Sequence, residues 1–257
     1  YNKNRDKFYG FLENKKLSQD YIKGLKTTLE NTLNLKFETP NDLRDVLAQV
    51  KNRKYRALAL RNLFNFCSEY DLIDETLIAK LKSKIKITEK SNIDSYIPSE
   101  IEIKNFLEKV KHYDINSYLF VKILLESGLR VTEVQHFINT FEINKFEVVD
   151  QVVVYPLYYL RGSKNSYYLF ISKSLFDEVV NSNLREFNVE KLKTWIKRHN
   201  LIPLKYTRKY NFTKLIKNDV SFEIANFIQG RVSSNIGFNH YLAKKEIGIK
   251  EYQKFLD

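Results

Sequence analysis

The sequence predicts a mainly α-helical protein that carries one small antiparallel β-sheet. In the first third of the chain and again after Ser174, apolar residues recur at helical spacing. Between Phe146 and Ser172 the pattern changes to valine-rich and tyrosine-rich runs, which are typical of strands. Residues 82–97 are polar, charged and weakly periodic, which indicates a linker between two domains.

The first third of the chain predicts a small helical bundle. Residues 39–42 supply a capping threonine, a proline at the first helical position and an acid in the first turn of a helix. A later helix has an apolar stripe from Tyr55 to Cys67. We expect one helical domain over residues 1–90 and a linker over residues 91–97. The remaining helices of this domain are predicted at residues 8–17, 21–33 and 72–81.

The second domain, residues 98–257, begins with another helix signal. Ser99 and Glu102 have the spacing of a capping box, in which each residue bonds to the backbone of the other. A further helix is predicted over residues 118–126, and it ends at Gly128. Helices are therefore expected on both sides of the strand-like region.

The strand-like region predicts a hairpin. Valines dominate residues 148–154, and two tyrosine-rich runs follow at 158–160 and 167–170. Residues 161–165 read Arg-Gly-Ser-Lys-Asn, which is a turn signal between the last two runs. Short helices are expected after Ser174.

The charge of the chain favours a polyanionic partner. Lys and Arg total 43 against 31 Asp and Glu, so the net charge is +12. Residues 1–97 hold 19 basic and 13 acidic residues, half of that excess. Nucleic acid is the first candidate partner; the alternative is a lysine-rich surface that reflects genome composition or adaptation to heat. Arg53, Lys54 and Arg56 cluster where a helix begins, either as phosphate contacts or as a solvated face.

Several functional classes lack the residues they need. The single cysteine, Cys67, rules out an internal disulfide framework and a cysteine-rich zinc module. The four histidines are not spaced as metal ligands, and neither a P-loop nor a glycine-rich dinucleotide turn is present. The acidic cluster of a two-metal nuclease is missing too. Any chemistry on nucleic acid is therefore expected to need neither a metal nor a nucleotide cofactor.

The chain also lacks membrane and export signals. It contains no run of about 18 apolar residues and no signal peptide, so no contact with a membrane is expected. It starts at Tyr1 and contains no methionine, so we expect it to be a fragment of a longer gene product.

One helix junction places an arginine beside a glutamate. An apolar helix ends at Gly128, and Arg130 and Glu133 follow at once. The planar fork of Arg130 could bind a phosphate through two nitrogens, with Glu133 orienting it. The alternative is an ordinary helix end with a surface ion pair.

Further candidates lie downstream. Lys164 falls in the predicted hairpin turn, and Lys205 and Arg208 are one helical turn apart. A glycine followed by Arg231 closes another apolar helix, and Tyr241 comes ten residues later. Because the chain has 17 tyrosines, a single tyrosine is far more often a packing residue than a nucleophile.

As a set, these positions resemble the tyrosine recombinase (phage integrase) family. That family carries an arginine in a Gly-Leu-Arg-x-x-Glu junction, a hairpin lysine, a His/Lys-x-x-Arg box, a His/Trp-type position after a glycine, and a tyrosine about ten residues later. The matching residues here are Arg130 with Glu133, Lys164, Lys205 with Arg208, Arg231 and Tyr241. The match covers roughly residues 98–250, and the helical module resembles the core-binding domain of the family.

Two positions depart from the usual pattern of the family. Lys205 and Arg231 both stand where the family usually has histidine. The same variants occur in integrases of archaeal spindle-shaped viruses and related archaeal plasmids, which the chain therefore resembles most closely.

The resemblance implies a helical core-binding domain, an α+β catalytic domain, and strand exchange on double-stranded DNA in the cytoplasm of a host cell. It implies cleavage through a 3′-phosphotyrosyl intermediate without metal or ATP, and a homo-tetramer on two DNA sites. The implied roles are nucleophile for Tyr241, general acid for Lys164, base or further cation for Lys205, and phosphate binding for Arg130, Arg208 and Arg231.

The sequence leaves alternatives open for the C-terminal tail and for the activity. Residues 248–257 form an amphipathic tail that packs either on a neighbouring protomer or on its own domain. The activity is either site-specific recombination or DNA relaxation of the type IB topoisomerase kind. A third alternative is a DNA-binding regulator that keeps the scaffold and does not cut.

Overall fold

The computed structural model describes residues 2–15, 17–33, 39–85, 94–159, 165–182, 184, 187–231 and 241–256. The chain divides into two compact units, Tyr1–Ile93 and Asp94–Asp257. The predicted fold class, mainly α with a small antiparallel sheet, is confirmed.

The first unit is a helical bundle. Its described helices, after a 3₁₀ turn at Asn2–Asn4, are α1 (Arg5–Glu13), α2 (Gln19–Leu33), α3 (Pro40–Gln49), α4 (Arg53–Glu69) and α5 (Glu75–Lys84). The Thr39 hydroxyl accepts from the backbone N–H of Asp42, and the Asp42 carboxylate accepts from the backbone N–H of Thr39, so the predicted start of α3 is confirmed. Leu12, Leu29 and Leu60 lie in the core of the bundle.

Two of these helices have different bounds from those predicted. Helix α1 stops at Glu13 and not at Leu17, because the N–H of Lys15 turns back to the carbonyl of Leu12 and tightens the end. Helix α5 starts after Asp74, whose carboxylate accepts from the N–H of Leu77 at 3.0 Å and caps the helix.

The second unit alternates helices with one sheet. Its described elements are α6 (Glu100–Tyr113), α7 (Ile115–Ser127), α8 (Val131–Thr140), a 3₁₀ turn (Ile143–Lys145), β1 (Glu147–Val149), β2 (Val152–Tyr159), β3 (Ser166–Ser172), α9 (Lys173–Val180), α10 (Val189–Arg198), α11 (Lys205–Lys217), α12 (Phe222–Ile228) and α13 (Tyr241–Leu256). The capping box of Ser99 and Glu102 forms at the start of α6, as predicted. In the part of the chain that the structure describes, no helix is both long enough and apolar enough to cross a bilayer.

Strands β2 and β3 are buried on both faces of the sheet. Its strands run in the order β1-β2-β3, and both pairs are antiparallel. Val153 and Ile171 point into a core shared with α6–α10, whereas Val154 and Phe170 point into a second core shared with α11–α13. The hairpin of β2 and β3 is confirmed, and its turn, with Lys164, lies outside the described residues.

The C-terminal helix packs on its own unit. Ile249, Tyr252 and Phe255 on α13 are buried in the second core. The Tyr252 hydroxyl donates to the carbonyl of Glu126 at 3.1 Å, and burial raises the pKa of this phenol well above its usual value. Of the two alternatives for residues 248–257, packing on their own domain is the one observed, because the apolar face of α13 is covered within the chain.

Candidate active site

The end of α7 sets the direction in which Arg130 leaves the helix. Gly128 has φ +62°, a left-handed conformation that glycine adopts without strain. A Cβ at this position would lie 2.1 Å from Oδ1 of Asn211 on α11. The Nδ2 group of Asn211 donates to the carbonyls of Leu125 and Glu126, at 2.9 and 2.7 Å. Gly128 therefore lets α11 approach and close the last turn of α7.

Arg130 is held by a buried carboxylate. It is the residue before α8, and Glu133 in the first turn of that helix is 0% exposed. Glu133 accepts from the backbone N–H of Arg130 at 2.6 Å and from its Nη1 at 2.5 Å. Nη1 also donates to the carbonyl of Gly230 at 3.3 Å. Because Glu133 is buried, the pair is not the surface ion pair that was the alternative.

Arg208 approaches the same carboxylate from α11. Its Nη1 lies 3.7 Å from Oε2 of Glu133. Both terminal nitrogens of Arg208 are buried, and neither finds a hydrogen-bond partner among the described residues. Burial, followed by the charges of Arg130 and Arg231, lowers the pKa of Arg208 to about 9. The guanidinium is still a cation at neutral pH, and its donors are available to an anion.

Arg231 enters from the end of α12. Gly230 has φ +64°, and the N–H groups of Gly230 and Arg231 bond back to carbonyls in the last turn of the helix. A Cβ at Gly230 would lie 2.1 Å from Oγ of Ser166, the first residue of β3. Burial, and then the charge of Arg130, lowers the pKa of Arg231. Three elements thus bring three guanidiniums together, which we call the arginine cluster: Arg130, Arg208 and Arg231.

Two polar residues behind the arginine cluster were not predicted. Nε2 of Gln229 donates to the carbonyl of Arg208 at 2.9 Å and to Oδ1 of Asn211 at 2.6 Å. This pair ties the end of α12 to α11 and to the end of α7. The signal in the sequence is weak: Asn211 lies one turn after Arg208, and Gln229 directly precedes a glycine.

Lys205 lies apart from the arginine cluster. Its Nζ is 2.9 Å from Oδ2 of Asp94 and 4.5 Å from the centre of the Tyr206 ring. Lys209 reaches the same carboxylate at 3.3 Å. The hydrogen bond from Lys205 is the main reason that the pKa of Asp94 falls to about 2, and the same bond raises the pKa of Lys205. Within the described ranges, the side chain of Lys205 interacts with Asp94 and Tyr206 and not with the guanidiniums of the arginine cluster.

The remaining predicted site residues stay predictions. Lys164 lies outside the described residues, and Tyr241 is the first residue of α13, with a side chain outside the description. In the first unit, Arg53, Lys54 and Arg56 form the first turn of α4. Nη1 of Arg56 donates to the carbonyl of Asn31 at 3.1 Å, which ties α4 to α2.

The fold and the arginine cluster are those expected of a tyrosine recombinase, an enzyme that breaks and rejoins DNA strands. Residues 95–257 match the family model described as archaeal phage integrase, which is well over half of the chain. The chain belongs to this family, and the predicted enzyme class is confirmed.

Solved structures of two recombinases also match the chain. A XerH site-specific recombinase bound to its difH substrate, in a pre-cleavage complex, is 16% identical, with a TM-score of 0.44 over 89% of this chain and 88% of that chain. A XerA recombinase is 16% identical, with a TM-score of 0.40 over 100% of this chain and 93% of that chain. No curated protein matches the chain.

Proposed function

We propose that this protein is a site-specific DNA recombinase, or integrase, that cleaves and rejoins DNA through a 3′-phosphotyrosyl intermediate on Tyr241. The observation that supports this most is the state of Arg208, a buried cation beside two other guanidiniums, whose terminal nitrogens find no hydrogen-bond partner among the described residues. A buried donor left unpaired costs about 1–3 kcal/mol. The nonbridging oxygens of a phosphodiester would remove that cost.

The reaction needs cationic groups that stabilise negative charge on the phosphate. The Tyr241 oxygen attacks phosphorus, the bond from phosphorus to the 5′ oxygen breaks, and the 3′ phosphate stays on the tyrosine. The arginine cluster neutralises the phosphate and stabilises the charge that builds up in the transition state. No ATP is needed, because the covalent bond to tyrosine conserves the energy of the broken one. No metal ion is needed, because the guanidiniums supply the positive charge that a metal would supply.

Two lysines are proposed to move the protons. Lys164 gives a proton to the leaving 5′ oxygen as general acid. Lys205, or another group, takes the phenol proton of Tyr241, or Lys205 adds a further positive charge. A 5′ hydroxyl from a partner strand then attacks the phosphotyrosine, which restores the phosphodiester and frees Tyr241.

The buried carboxylate keeps one arginine in a fixed orientation. Glu133 takes the backbone N–H and Nη1 of Arg130, so the other nitrogens of that guanidinium stay available to the phosphate. Because Glu133 is fully buried, it cannot meet the DNA itself. Its proposed role is to hold Arg130 while its single negative charge offsets part of the repulsion within the arginine cluster.

The proposed partner is double-stranded DNA. Residues 1–97 and residues 98–257 each carry a net charge of +6, so both are expected to contact phosphates. Arg53, Lys54 and Arg56 are the proposed contacts of the first unit. Binding should weaken steeply with salt, and recombination is proposed to take place in a homo-tetramer that holds two DNA sites.

The proposal is tested by trapping the covalent intermediate. A pool of nicked duplexes of randomised sequence is incubated with protein in EDTA, and covalently captured molecules are amplified to give a defined suicide substrate. On a denaturing gel the wild-type protein should form an adduct, whereas Tyr241→Phe should bind the same DNA without forming one. Tyr113→Phe is the matched control, because that ring stacks on Trp195 in another part of the unit and should leave the adduct unchanged.

Three outcomes would contradict the proposal. An adduct that survives in Tyr241→Phe would show that another residue is the nucleophile. Relaxation of supercoiled DNA without joining of two sites would favour the topoisomerase alternative. Binding by the wild-type protein without any adduct would favour a regulator that does not cut.

A further inference from the structure

Arg231 is held differently from the other two arginines. Arg130 is bonded to the Glu133 carboxylate, and Arg208 lies 3.7 Å from it. Arg231 makes no ion pair or side-chain hydrogen bond with any described residue. Among the described residues, its guanidinium makes a cation–π contact with Phe212: Cζ of Arg231 lies 4.8 Å from the centre of the Phe212 ring.

The Phe212 ring is itself fixed in place. It packs against the second core of the unit, and its centre is 5.6 Å from that of the Phe222 ring, at an interplanar angle of 89°. Phe212 lies four residues after Arg208 on α11, so the two side chains share one face of that helix. The ring beneath Arg231 and the guanidinium of Arg208 are therefore carried by one rigid element.

An aromatic ring can hold a guanidinium and leave the hydrogen-bond donors of the guanidinium available. The five N–H groups of arginine lie in one plane, and an aromatic face attracts the cation without accepting from that plane in particular. A carboxylate in the place of the ring would take two of those donors and cancel the charge. Arg231 is exposed as a residue, yet partial burial of its guanidinium and the nearby charge of Arg130 lower its pKa and so disfavour the cation. The ring offsets part of that cost and leaves the charge in place.

We propose that Phe212 is a positioning residue that holds the Arg231 guanidinium ready for the oxygens of a phosphate. This inference rests on the proposed function, because it deepens the role given there to Arg231. It assigns to Phe212 a role beyond filling space: the electron-rich face of the ring, not only its volume, is what the site needs. Leucine in its place would fill much of the volume without that face.

The test is a double-mutant cycle in which adduct formation is measured in a single turnover on the suicide substrate. Phe212→Leu should slow adduct formation about 3- to 30-fold, the range expected for loss of a cation–ring contact. Binding of the same DNA, measured in the Tyr241→Phe background, should change less than about two-fold. Phe212→Trp should restore the rate, since it restores a ring face. In the Arg231→Ala background, Phe212→Leu should have no further effect.

Two controls separate positioning from folding. Phe176→Leu removes a ring that packs on Phe146 away from Arg231, and it should lower the melting temperature without slowing adduct formation. Inorganic phosphate gives a readout that does not need DNA chemistry: it should raise the melting temperature of the wild type more than that of Phe212→Leu, and Phe212→Trp should regain the difference.

The outcomes distinguish this inference from the proposed function. If the wild type forms no adduct but phosphate stabilisation still depends on Phe212 and Arg231 together, the function is wrong and the inference stands. The inference is overturned if Phe212→Leu slows adduct formation equally with and without Arg231. It is also overturned if inorganic phosphate raises the melting temperature by the same amount whether or not Phe212 and Arg231 are present. In either case Phe212 only fills space.

Discussion

The arginine cluster and Lys205 are predicted to serve one phosphate, yet the structure holds them in opposite ways. The Arg208 side chain is 13% exposed and lies 3.7 Å from a fully buried carboxylate. The Lys205 side chain is 65% exposed and pairs with Asp94 at the surface. Both residues are on α11, one turn apart, so the difference arises from what the neighbouring elements place around each of them.

This difference indicates that the proposed site has a fixed part, the arginine cluster with Glu133, and an adjustable part, Lys205 with Asp94. Buried charges with tertiary partners cannot turn away without breaking a network, and removing the one carboxylate that two cations share is costly. An exposed ammonium on a flexible side chain exchanges partners easily, and a surface ion pair adds little stability. We therefore expect substitutions in the arginine cluster to have large effects and substitutions around Asp94 to have small ones.

The largest effect is expected from Arg208→Met. Loss of one preorganised donor slows formation of the covalent adduct by about 10²- to 10³-fold. The unbound protein should be at least as stable as the wild type, because the lowered pKa of Arg208 means that folding disfavours its charge. Single-turnover kinetics and thermal melting measure the two effects.

Arg198→Met is the control for this prediction. Arg198 is exposed at the end of α10, so its loss should leave both the rate and the melting temperature almost unchanged. A rate for Arg208→Met within ten-fold of the wild type would mean that Arg208 does not act on the phosphate.

Glu133→Gln should come next, with an effect on stability. The neutral amide weakens the charge-assisted bonds to Arg130 and leaves two partly buried guanidiniums without a counter-charge. The loss is expected to be about 2–3 kcal/mol in the free energy of unfolding, measured by urea titration. Glu142→Gln, which removes a surface partner of Lys145, should leave the urea midpoint unchanged. Equal urea midpoints for the two variants would show that the buried Glu133 carboxylate adds nothing to the free energy of unfolding.

Signals within a few residues predicted much of this architecture. The helix caps at Thr39 and Ser99 are predicted from these residues and the three residues that follow each of them, and both caps form. The ends of α7 and α12 follow from a glycine at each. These features depend on local backbone geometry, which short stretches of sequence specify well.

Partners that are distant in sequence could not be predicted. Asn211 bonds to the end of α7 across 86 residues, and Lys205 meets Asp94 across 111 residues. Such pairs depend on how helices pack, and a polar side chain on a helix does not by itself indicate its partner. The tail shows the same limit: its apolar face was visible in the pattern, but the surface that covers it was not.

Gly128→Ala tests the close approach behind the arginine cluster. A left-handed residue with a Cβ costs about 1–2 kcal/mol, before the contact with Asn211 is counted. Asn211 would have to give up its bonds to the end of α7, so the melting temperature and the rate of adduct formation should both fall. Gly24→Ala is the control, since nothing lies near its Cβ position on α2 and alanine favours helix. A Gly128→Ala protein as stable as Gly24→Ala would contradict the close approach.

The smallest effect is expected from Asp94→Asn, and its size depends on pH in a defined way. The pKa of Asp94 falls to about 2 in the folded protein, so its contribution is present above its unfolded value of about 3.9 and is lost as the pH falls toward 2. The raised pKa of Lys205 gives the opposite limit: its contribution is present below about 10.4 and is lost as the pH rises through the raised value.

Between these limits the wild type should melt only slightly above Asp94→Asn, and the difference should shrink in high salt, since both side chains are exposed. Adduct formation should not slow, because Lys205 is released from a competing carboxylate and is free to reach the phosphate. A slower reaction would mean that Asp94 holds Lys205 in its working position, and the surface pair would then belong to the fixed part of the site.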